Sequence, residues 1–429
     1  MPMTLMPRRP FAAIALLVGA LLCGLAAPAA ARPMPAPPSD DDAYCDEACQ
    51  WALQQQHENA ITRTSFYDPP DPLPDTTMGT LLRQEPGTGY DRVSVEMAIT
   101  RILYVSADSA GRPVAAAGVV LTPTGEPPRG GWPVILHAHG VSGMGQACAP
   151  SLMRDLYHGD QIERFVEQGW AVVAPDYAGL GTDGRHEVGN KAAAANDVLS
   201  ALEAARRAVP GLHKDWILWG HSQGGAAVLA SAERLANRPM AGYRGAMVTS
   251  PPSDLHRVIA HTVAQPGLGV FPAALAKAAH VSDRRVRLDR VLTQAALDRL
   301  PIADTGCLGA MTAVYSGLTG SDLVVPRYLS EPHFRRFLEE NRTGRNRIAG
   351  PLLLLQGEAD TVVPLHFTDD VAKDLCRRTV HVDYRTYPGI EHDTYPGWVV
   401  GITDAAMPDM LDWAAARFGG EPATSSCAS

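Results

Sequence analysis

The chain has 429 residues, of which 46% are hydrophobic, and its formal net charge is −9. This length exceeds one ordinary hydrophobic core, so we expect one large domain that carries an insertion. The acidic balance, with no run of Lys and Arg, argues against nucleic-acid binding and against strong attachment to anionic membranes.

The N-terminal segment has the features of an export signal. Arg8 and Arg9 precede an apolar run at residues 11–25, and small residues follow at 27–31. The run is shorter than the roughly 20 residues that span a bilayer, so residues 1–31 are predicted to be a cleaved signal peptide. The two arginines also fit a twin-arginine signal, and this alternative stays open. We therefore expect a secreted or periplasmic protein without a transmembrane segment.

Cleavage after residue 31 leaves an even number of cysteines in an oxidising compartment. This predicts three disulfides, with free buried thiols as the alternative, and the sequence leaves the pairing open. The cysteines are Cys45, Cys49, Cys148, Cys307, Cys376 and Cys427.

The remaining chain divides into an arm and a region of regular alternation. Residues 32–75 are rich in proline and acidic residues, which predicts an extended N-terminal arm with one helical piece at 51–57. From residue 92 onward, apolar β-rich runs alternate with helical runs. The predicted strands are residues 93–105, 114–121, 134–139, 171–174, 216–220, 246–249, 351–356 and 380–385. The predicted helices are residues 191–209, 224–235, 365–375 and 404–418.

This alternation indicates an α/β fold with a mostly parallel sheet and helices on both faces. It stops after residue 251 and resumes at residue 351. Between these points lie only short helical pieces, at residues 255–263, 271–279, 291–300, 308–315 and 332–341. We interpret residues 251–350 as a helical cap inserted into a main domain formed by residues 76–250 and 351–429.

A G-x-S-x-G string occurs where a predicted strand meets an alanine-rich helix. It is GHSQG at residues 220–224, with Ser222 at its centre. In a nucleophile elbow the glycines allow a turn so sharp that the serine hydroxyl projects into the open. The string alone is a weak signal, but it occurs once and at the required junction. We predict that Ser222 is a nucleophile; the alternative is an ordinary loop serine.

A serine nucleophile needs a base to take its proton and an acid to orient that base. Asp360 follows the predicted strand 351–356, at the sheet edge where sites gather in open α/β sheets. His392 lies in the loop after the last predicted strand. We predict Asp360 as the acid and His392 as the base, in the chain order that the elbow pattern requires. The alternatives are a turn aspartate, a solvated loop histidine and, for the acid, Glu358.

The negative oxygen of a tetrahedral intermediate needs two hydrogen-bond donors. We predict that one donor is the backbone N–H of Gln223. The second is expected in the glycine-containing loop after strand 134–139, where Val141 N–H is preferred and Gly140 or Ser142 is the alternative.

Two histidines on strand 134–139 could be mistaken for a metal-binding pair. His137 and His139 stand two residues apart, and no third ligand lies nearby in the sequence. We predict that they support the neighbouring loop and that the chain binds no metal and no cofactor.

Several phrases in order give the chain a resemblance to the secretory lipases of the α/β-hydrolase superfamily, from about residue 66 to residue 418. The phrases are FYDPP at 66–70, GTLLR at 79–83, HGVSG at 139–143, CAP at 148–150, PDYAGLG at 175–181 and GHSQG at 220–224. The resemblance implies the α/β-hydrolase fold, a cap over the acyl site, hydrolysis of triacylglycerols or simpler esters, and a triad of Ser222, Asp360 and His392. It also implies disulfides Cys148–Cys307 and Cys376–Cys427, which leaves Cys45 with Cys49.

The expected reaction is a two-step acyl transfer on Ser222. Activity should fall as His392 becomes protonated in mild acid. The expected partner is a small-molecule or lipid ester, with transient contact to a lipid interface. A short-chain carboxylesterase or deacetylase is the alternative enzyme, and a hydrolase-fold binding protein without catalysis is the alternative of another class.

Overall fold

The computed structural model describes residues 44–378, 381–394 and 399–427. The predicted signal peptide and the first part of the predicted arm lie outside these residues. None of the described helices is long and apolar enough to cross a bilayer.

A single nine-stranded sheet organises the main domain. The strands are β1 Leu81–Pro86, β2 Met97–Ala107, β3 Pro113–Pro123, β4 Trp132–Ala138, β5 Ala171–Pro175, β6 Leu212–His221, β7 Tyr243–Thr249, β8 Leu352–Gly357 and β9 Val382–Tyr387. Their order in the sheet is β1-β2-β3-β5-β4-β6-β7-β8-β9. Strands β1, β2 and β3 pair antiparallel, β3 pairs antiparallel with β5, and all pairs from β5 onward in this order are parallel. The predicted mostly parallel sheet is therefore confirmed, with the unpredicted β1 added at one edge.

Helices cover both faces of this sheet. The helices of the main domain are α2 Gly159–Val166, α3 Lys191–Ala208, α4 Gln223–Asn237, α11 Leu365–Cys376, α12 Ile402–Ala405 and α13 Met407–Phe418. Alternate residues of β4 enter two separate cores: Val134 packs in the cluster that contains α3 and α4, and Ile135 in the cluster that contains α2 and α13. Side chains of a strand point alternately to opposite faces, so an uninterrupted apolar strand needs a helical layer on each side. The predicted helix 404–418 is divided at Ala406.

Between β7 and β8 the described chain forms six α-helices and three short 3-10 helices, and it adds no strand to the sheet. The α-helices are α5 Leu255–Ala264, α6 Val270–Ser282, α7 Gln294–Leu297, α8 Ile302–Thr305, α9 Leu308–Tyr315 and α10 Pro332–Glu340. These helices have a hydrophobic core of their own, which includes Ile259, Ala276, Met311 and Phe334.

The N-terminal helix α1, Glu47–Asn59, belongs with this second core. It packs against α9, and its Cys49 is fully buried among cap residues. The Gln56 side chain accepts a hydrogen bond from Cys307 N (2.7 Å) and donates one to Thr305 O (2.9 Å). The predicted extended arm therefore differs from the structure in this part, where a 13-residue helix longer than the expected piece 51–57 is attached to the cap.

The three disulfides join the cysteines in the pairs that the resemblance implies. Cys45 bonds to Cys49, and Cys376 at the end of α11 bonds to Cys427 near the C-terminus. The Cys148–Cys307 bond links the loop after β4 to the start of α9. It fastens the cap to the sheet edge that carries the candidate site.

Candidate active site

Ser222 occupies the turn between β6 and α4, where its backbone is held at φ 53° and ψ −122°. The flanking glycines are required by close backbone approach, because a Cβ on Gly224 would lie 1.8 Å from Ala138 O and one on Gly220 would lie 2.4 Å from Gly224 O. The Ser222 N–H donates to Thr249 O on β7 (3.0 Å). A positive φ at a non-glycine residue is a strained conformation of the kind found at functional sites.

Ser222, His392 and Asp360 form one hydrogen-bonded chain. The Ser222 hydroxyl lies 2.9 Å from His392 Nε2, and His392 Nδ1 lies 2.8 Å from Asp360 Oδ2. Both partners of the serine are buried, with 4% exposure for His392 and 5% for Asp360. The sequence predicted these three residues, and their arrangement suits proton transfer from the hydroxyl to Nε2.

Asp360 is fixed in its turn by the backbone around it. Its Oδ1 accepts hydrogen bonds from Val362 N (3.0 Å) and Val363 N (2.7 Å), and its Oδ2 accepts a third from Gln356 Nε2 (2.9 Å). The carboxylate is therefore held toward His392. Glu358, the alternative acid, is exposed. Its carboxylate accepts a hydrogen bond from Thr386 Oγ1 on the neighbouring strand β9 (2.8 Å).

The pair of Asp360 and His392 changes the titration of both groups. Burial opposes the charge on Asp360, but the facing His392 holds the pKa of that carboxyl below its usual value. Burial likewise opposes a charged imidazole, yet the Asp360 carboxylate raises the pKa of His392 to about 9. The His392 ring is therefore protonated at higher pH than the ring of an ordinary histidine.

Two residues beside this chain were given no role in the sequence prediction. His221, the residue before Ser222, places Nε2 3.1 Å from Asp393 Oδ1 and Nδ1 3.0 Å from Thr249 Oγ1. The rings of His221 and His392 lie 4.6 Å apart. Asp393 thus places a second carboxylate beside His392. Its position directly after His392 was the available sequence signal, but its contact with His221 depends on the tertiary fold.

His221, His392 and Asp393 are also the one group of three potential metal ligands that the described residues bring together, with ligand atoms within 4.8 Å of one another. Both ring nitrogens of His392 are already within hydrogen-bond distance of Ser222 and Asp360. The donor set fits a proton-transfer chain better than a metal site, because a ligated nitrogen could not also accept the serine proton.

The two predicted oxyanion donors lie in the wall of the same cavity as Ser222. Gln223 N is the first N–H of α4, where no partner exists one turn earlier in the helix. Val141 is held by a hydrogen bond from the Tyr157 hydroxyl to its carbonyl oxygen. The side-chain nitrogen Nε2 of Gln223 lies 3.1 Å from His186 Nε2. Burial lowers the pKa of His186 to about 4, so its ring is neutral and accepts this hydrogen bond.

His137 and His139 are buried supports of the loop after β4. The His137 ring stacks on Trp219 at 4.1 Å, and His139 Nδ1 donates to Gly140 O at 2.6 Å. Burial lowers the pKa of His139 to about 3, which keeps the ring neutral. These two histidines contact an aromatic ring and a backbone carbonyl, as expected for residues that support the loop.

An apolar cavity of about 70 Å³ opens at Ser222 beneath the cap. Leu255 and Val258 from α5, and Phe271 and Leu275 from α6, form part of its wall. Helices α5 and α6 thus supply an apolar surface directly against Ser222.

Comparison with known proteins identifies the family that this geometry suits. The sequence model of the secretory lipase family matches residues 157–426, which is more than half of the chain. The chain belongs to the secretory lipase family. Lipase A of Arthroderma benhamiae is 23% identical over 355 residues, which cover 75% of this chain and 73% of that protein.

Solved structures show the same fold. The lipase A of Candida antarctica aligns with a TM-score of 0.71 at 17% identity, covering 86% of this chain and 89% of that one. A rice cell wall degrading esterase, LipA from Xanthomonas oryzae, aligns with a TM-score of 0.62 at 20% identity, covering 80% and 97%. The fold is that of the α/β hydrolases, and this secretory lipase family member is an ester hydrolase.

Proposed function

We propose that the chain hydrolyses carboxylic esters in two steps through an acyl-enzyme on Ser222. His392 takes the hydroxyl proton while Oγ bonds to the ester carbonyl carbon, and the alcohol then leaves with that proton. In the second step His392 takes a proton from water, the hydroxide attacks the acyl carbon, and the proton returns to Ser222 as the acid departs. The unbroken hydrogen-bonded chain from Ser222 through His392 to Asp360 is the observation that carries the proposal.

Asp360 acts in this proposal as the orienting acid. Because it accepts the Nδ1–H of His392, the neutral imidazole presents an unprotonated Nε2 to the serine. The same carboxylate stabilises the imidazolium that forms after proton transfer. Three further hydrogen bonds to Asp360 keep it in place, so the stabilisation requires no reorganisation during the reaction.

The backbone N–H groups of Gln223 and Val141 are proposed as the oxyanion hole. Each is a main-chain donor in the wall of the cavity that contains the nucleophile. Loss of one such donor in an acyl-transfer enzyme costs on the order of 100-fold or more in kcat.

The cavity favours short acyl groups over long ones. The cavity volume is about 70 Å³, and its wall near Ser222 is apolar. A small apolar cavity suits a short acyl group better than a long one. We propose a carboxylesterase preference for short acyl chains, with long-chain triacylglycerols as poorer substrates.

Export from the cytoplasm is part of the proposal. The family and the three disulfides support an extracellular or periplasmic protein, because such bonds persist in oxidising compartments. Residues 1–31 are proposed as the signal peptide. Sequencing the N-terminus of the exported protein tests this, and the expected first residue is near Arg32.

Substitutions of the three residues test the mechanism. Ser222→Ala, His392→Ala and Asp360→Asn should each lower kcat for ethyl butyrate by about 1000-fold or more, with combined variants no worse than the worst single one. Ser316→Ala, an exposed serine at the end of α9, is the matched control and should keep full activity. Hydrolysis by Ser222→Ala at the wild-type rate would overturn the proposal.

A further inference from the structure

The cavity beneath the cap is apolar near Ser222 but has a second, polar wall. This wall is formed by Asn190 and Lys191 at the start of α3, and by Asn341 and Thr343 just after α10. The two segments are joined directly, because Lys191 N donates to Asn341 Oδ1 (3.0 Å) and Lys191 Nζ donates to Arg342 O (3.3 Å). We call these four residues the polar end of the cavity.

The polar end and Ser222 line the same cavity. Ala226 and Ala227, near the start of α4, also form part of its wall. An acyl group bonded to Ser222 therefore shares one cavity with the polar end.

Thr343 carries an unsatisfied hydroxyl in this wall. The residue is 1% exposed, its N–H donates to Ser253 O (3.0 Å), and among the described residues its Oγ1 has no hydrogen-bond partner. A buried hydroxyl without a partner costs about 1–3 kcal/mol. The position therefore suits a ligand that brings its own hydrogen-bonding atom.

Lys191 adds a positive charge without a paired carboxylate. Within the described part of the chain no Asp or Glu forms an ion pair with its ammonium, which donates to the Arg342 carbonyl oxygen. The nearby Asp254 is paired with Arg342 (2.5 Å). The N-terminal end of α3, an 18-residue helix, adds a field that favours a negative group.

We propose that this polar end binds a carboxylate at the far terminus of the acyl group. The preferred substrates are then monoesters of short dicarboxylic acids, and hydrolysis converts monoester and water to the dicarboxylate and the alcohol. The inference rests on the proposed function, because it assumes acyl transfer to Ser222. Monoethyl glutarate is a suitable probe, because beyond its ester carbonyl the glutaryl group has three methylenes and one carboxylate and is therefore a short acyl group with a charged terminus.

The test compares kcat/KM for monoethyl glutarate and for ethyl pentanoate, measured by pH-stat titration at fixed ionic strength. For the wild type, kcat/KM for monoethyl glutarate divided by kcat/KM for ethyl pentanoate should exceed one. The same ratio should be lower when monoethyl succinate or monoethyl sebacate replaces the glutarate. Lys191→Met should lower the ratio by about tenfold or more, since hydrogen bonds to charged groups have effects of this size. Thr343→Val should lower it about threefold, and Lys191→Arg should retain it.

Lys214→Met is the matched control, because this exposed lysine lies at the opposite end of β6 from Ser222. It should leave the ratio unchanged. The inference is overturned if Lys191→Met leaves the ratio unchanged, if Lys214→Met lowers it equally, or if an ester with a terminal hydroxyl is preferred to the carboxylate. Wild-type protein that hydrolyses ethyl pentanoate but discriminates against the glutarate contradicts the inference alone; protein that hydrolyses neither contradicts the proposed function.

Discussion

Asp393→Asn should lower the pH at which the enzyme becomes active. Asp393 places a carboxylate oxygen within 4.8 Å of a ring nitrogen of His392, and it favours the charged imidazole. Replacing the carboxylate by an amide removes that attraction. The neutral, basic form of His392 is then populated at lower pH, so the ascending limb of kcat/KM against pH should move down.

The size of this shift follows from the distance and the exposure of Asp393. Two unit charges 4.8 Å apart interact by about 0.9 kcal/mol at the dielectric constant of water and by about 1.7 kcal/mol at half that value. The Asp393 side chain is 46% exposed, so solvent screens its charge. The interaction energy therefore lies near this range and not near the larger energy that a dry protein interior would give. One pKa unit corresponds to about 1.4 kcal/mol, which gives a shift of about one unit.

The assay is kcat/KM for a neutral ester from about pH 5 to pH 10.5, with thermal unfolding as a check on folding. The wild-type limb should be centred near the His392 pKa of about 9. Asp412→Asn, an exposed position on α13, is the matched control and should leave the limb in place. A limb that stays within about 0.2 units of wild type in Asp393→Asn, or that moves to higher pH, would refute the electrostatic reasoning.

Two further changes test strain and covalent fastening. Ser222→Gly should abolish hydrolysis and raise the free energy of unfolding by about 1 kcal/mol, because glycine accepts the positive φ. Ser222→Ala should not stabilise the protein. Equal denaturant midpoints for the two variants would contradict the strain at this position. The double variant Cys148→Ala, Cys307→Ala should lose roughly 3–5 kcal/mol of stability, since that bond spans 159 residues. Removing Cys45–Cys49, which spans 4, should cost less, and the reverse order in thermal unfolding would contradict the loop argument.

The alternation of strands and helices was readable from the sequence because the central strands are almost purely apolar. Strand β8 is Leu-rich and buried at every position, so pattern alone identifies it. Strand β1 was missed because its residues LLRQEP lack the continuous apolar pattern of the central strands, and its Pro86 is tolerated because β1 is an edge strand paired on one side. Helix α1 was underestimated because proline-rich flanks dominate the composition of the arm, whereas the cap core stabilises the helix.

Residues with a fixed topological position were easier to predict than their supporting contacts. Ser222 is set by a local motif, and Asp360 and His392 follow particular strands, so chain order alone selects them. The partners of these residues come from remote segments. The Gln223 side chain is hydrogen-bonded to His186, and the Asp393 side chain to His221, through residues 37 and 172 positions apart in the sequence. No local sequence pattern predicts such long-range contacts.

The central claim, that Ser222 is the nucleophile, is tested most directly by covalent labelling with a fluorophosphonate. The reagent phosphonylates an activated serine hydroxyl, and peptide mass spectrometry locates the adduct. The account predicts about one adduct per chain, on the peptide that contains Ser222, with labelling rate following the protonation of His392 and no adduct in Ser222→Ala. An adduct on another residue, or equal labelling of Ser222→Ala, would contradict it.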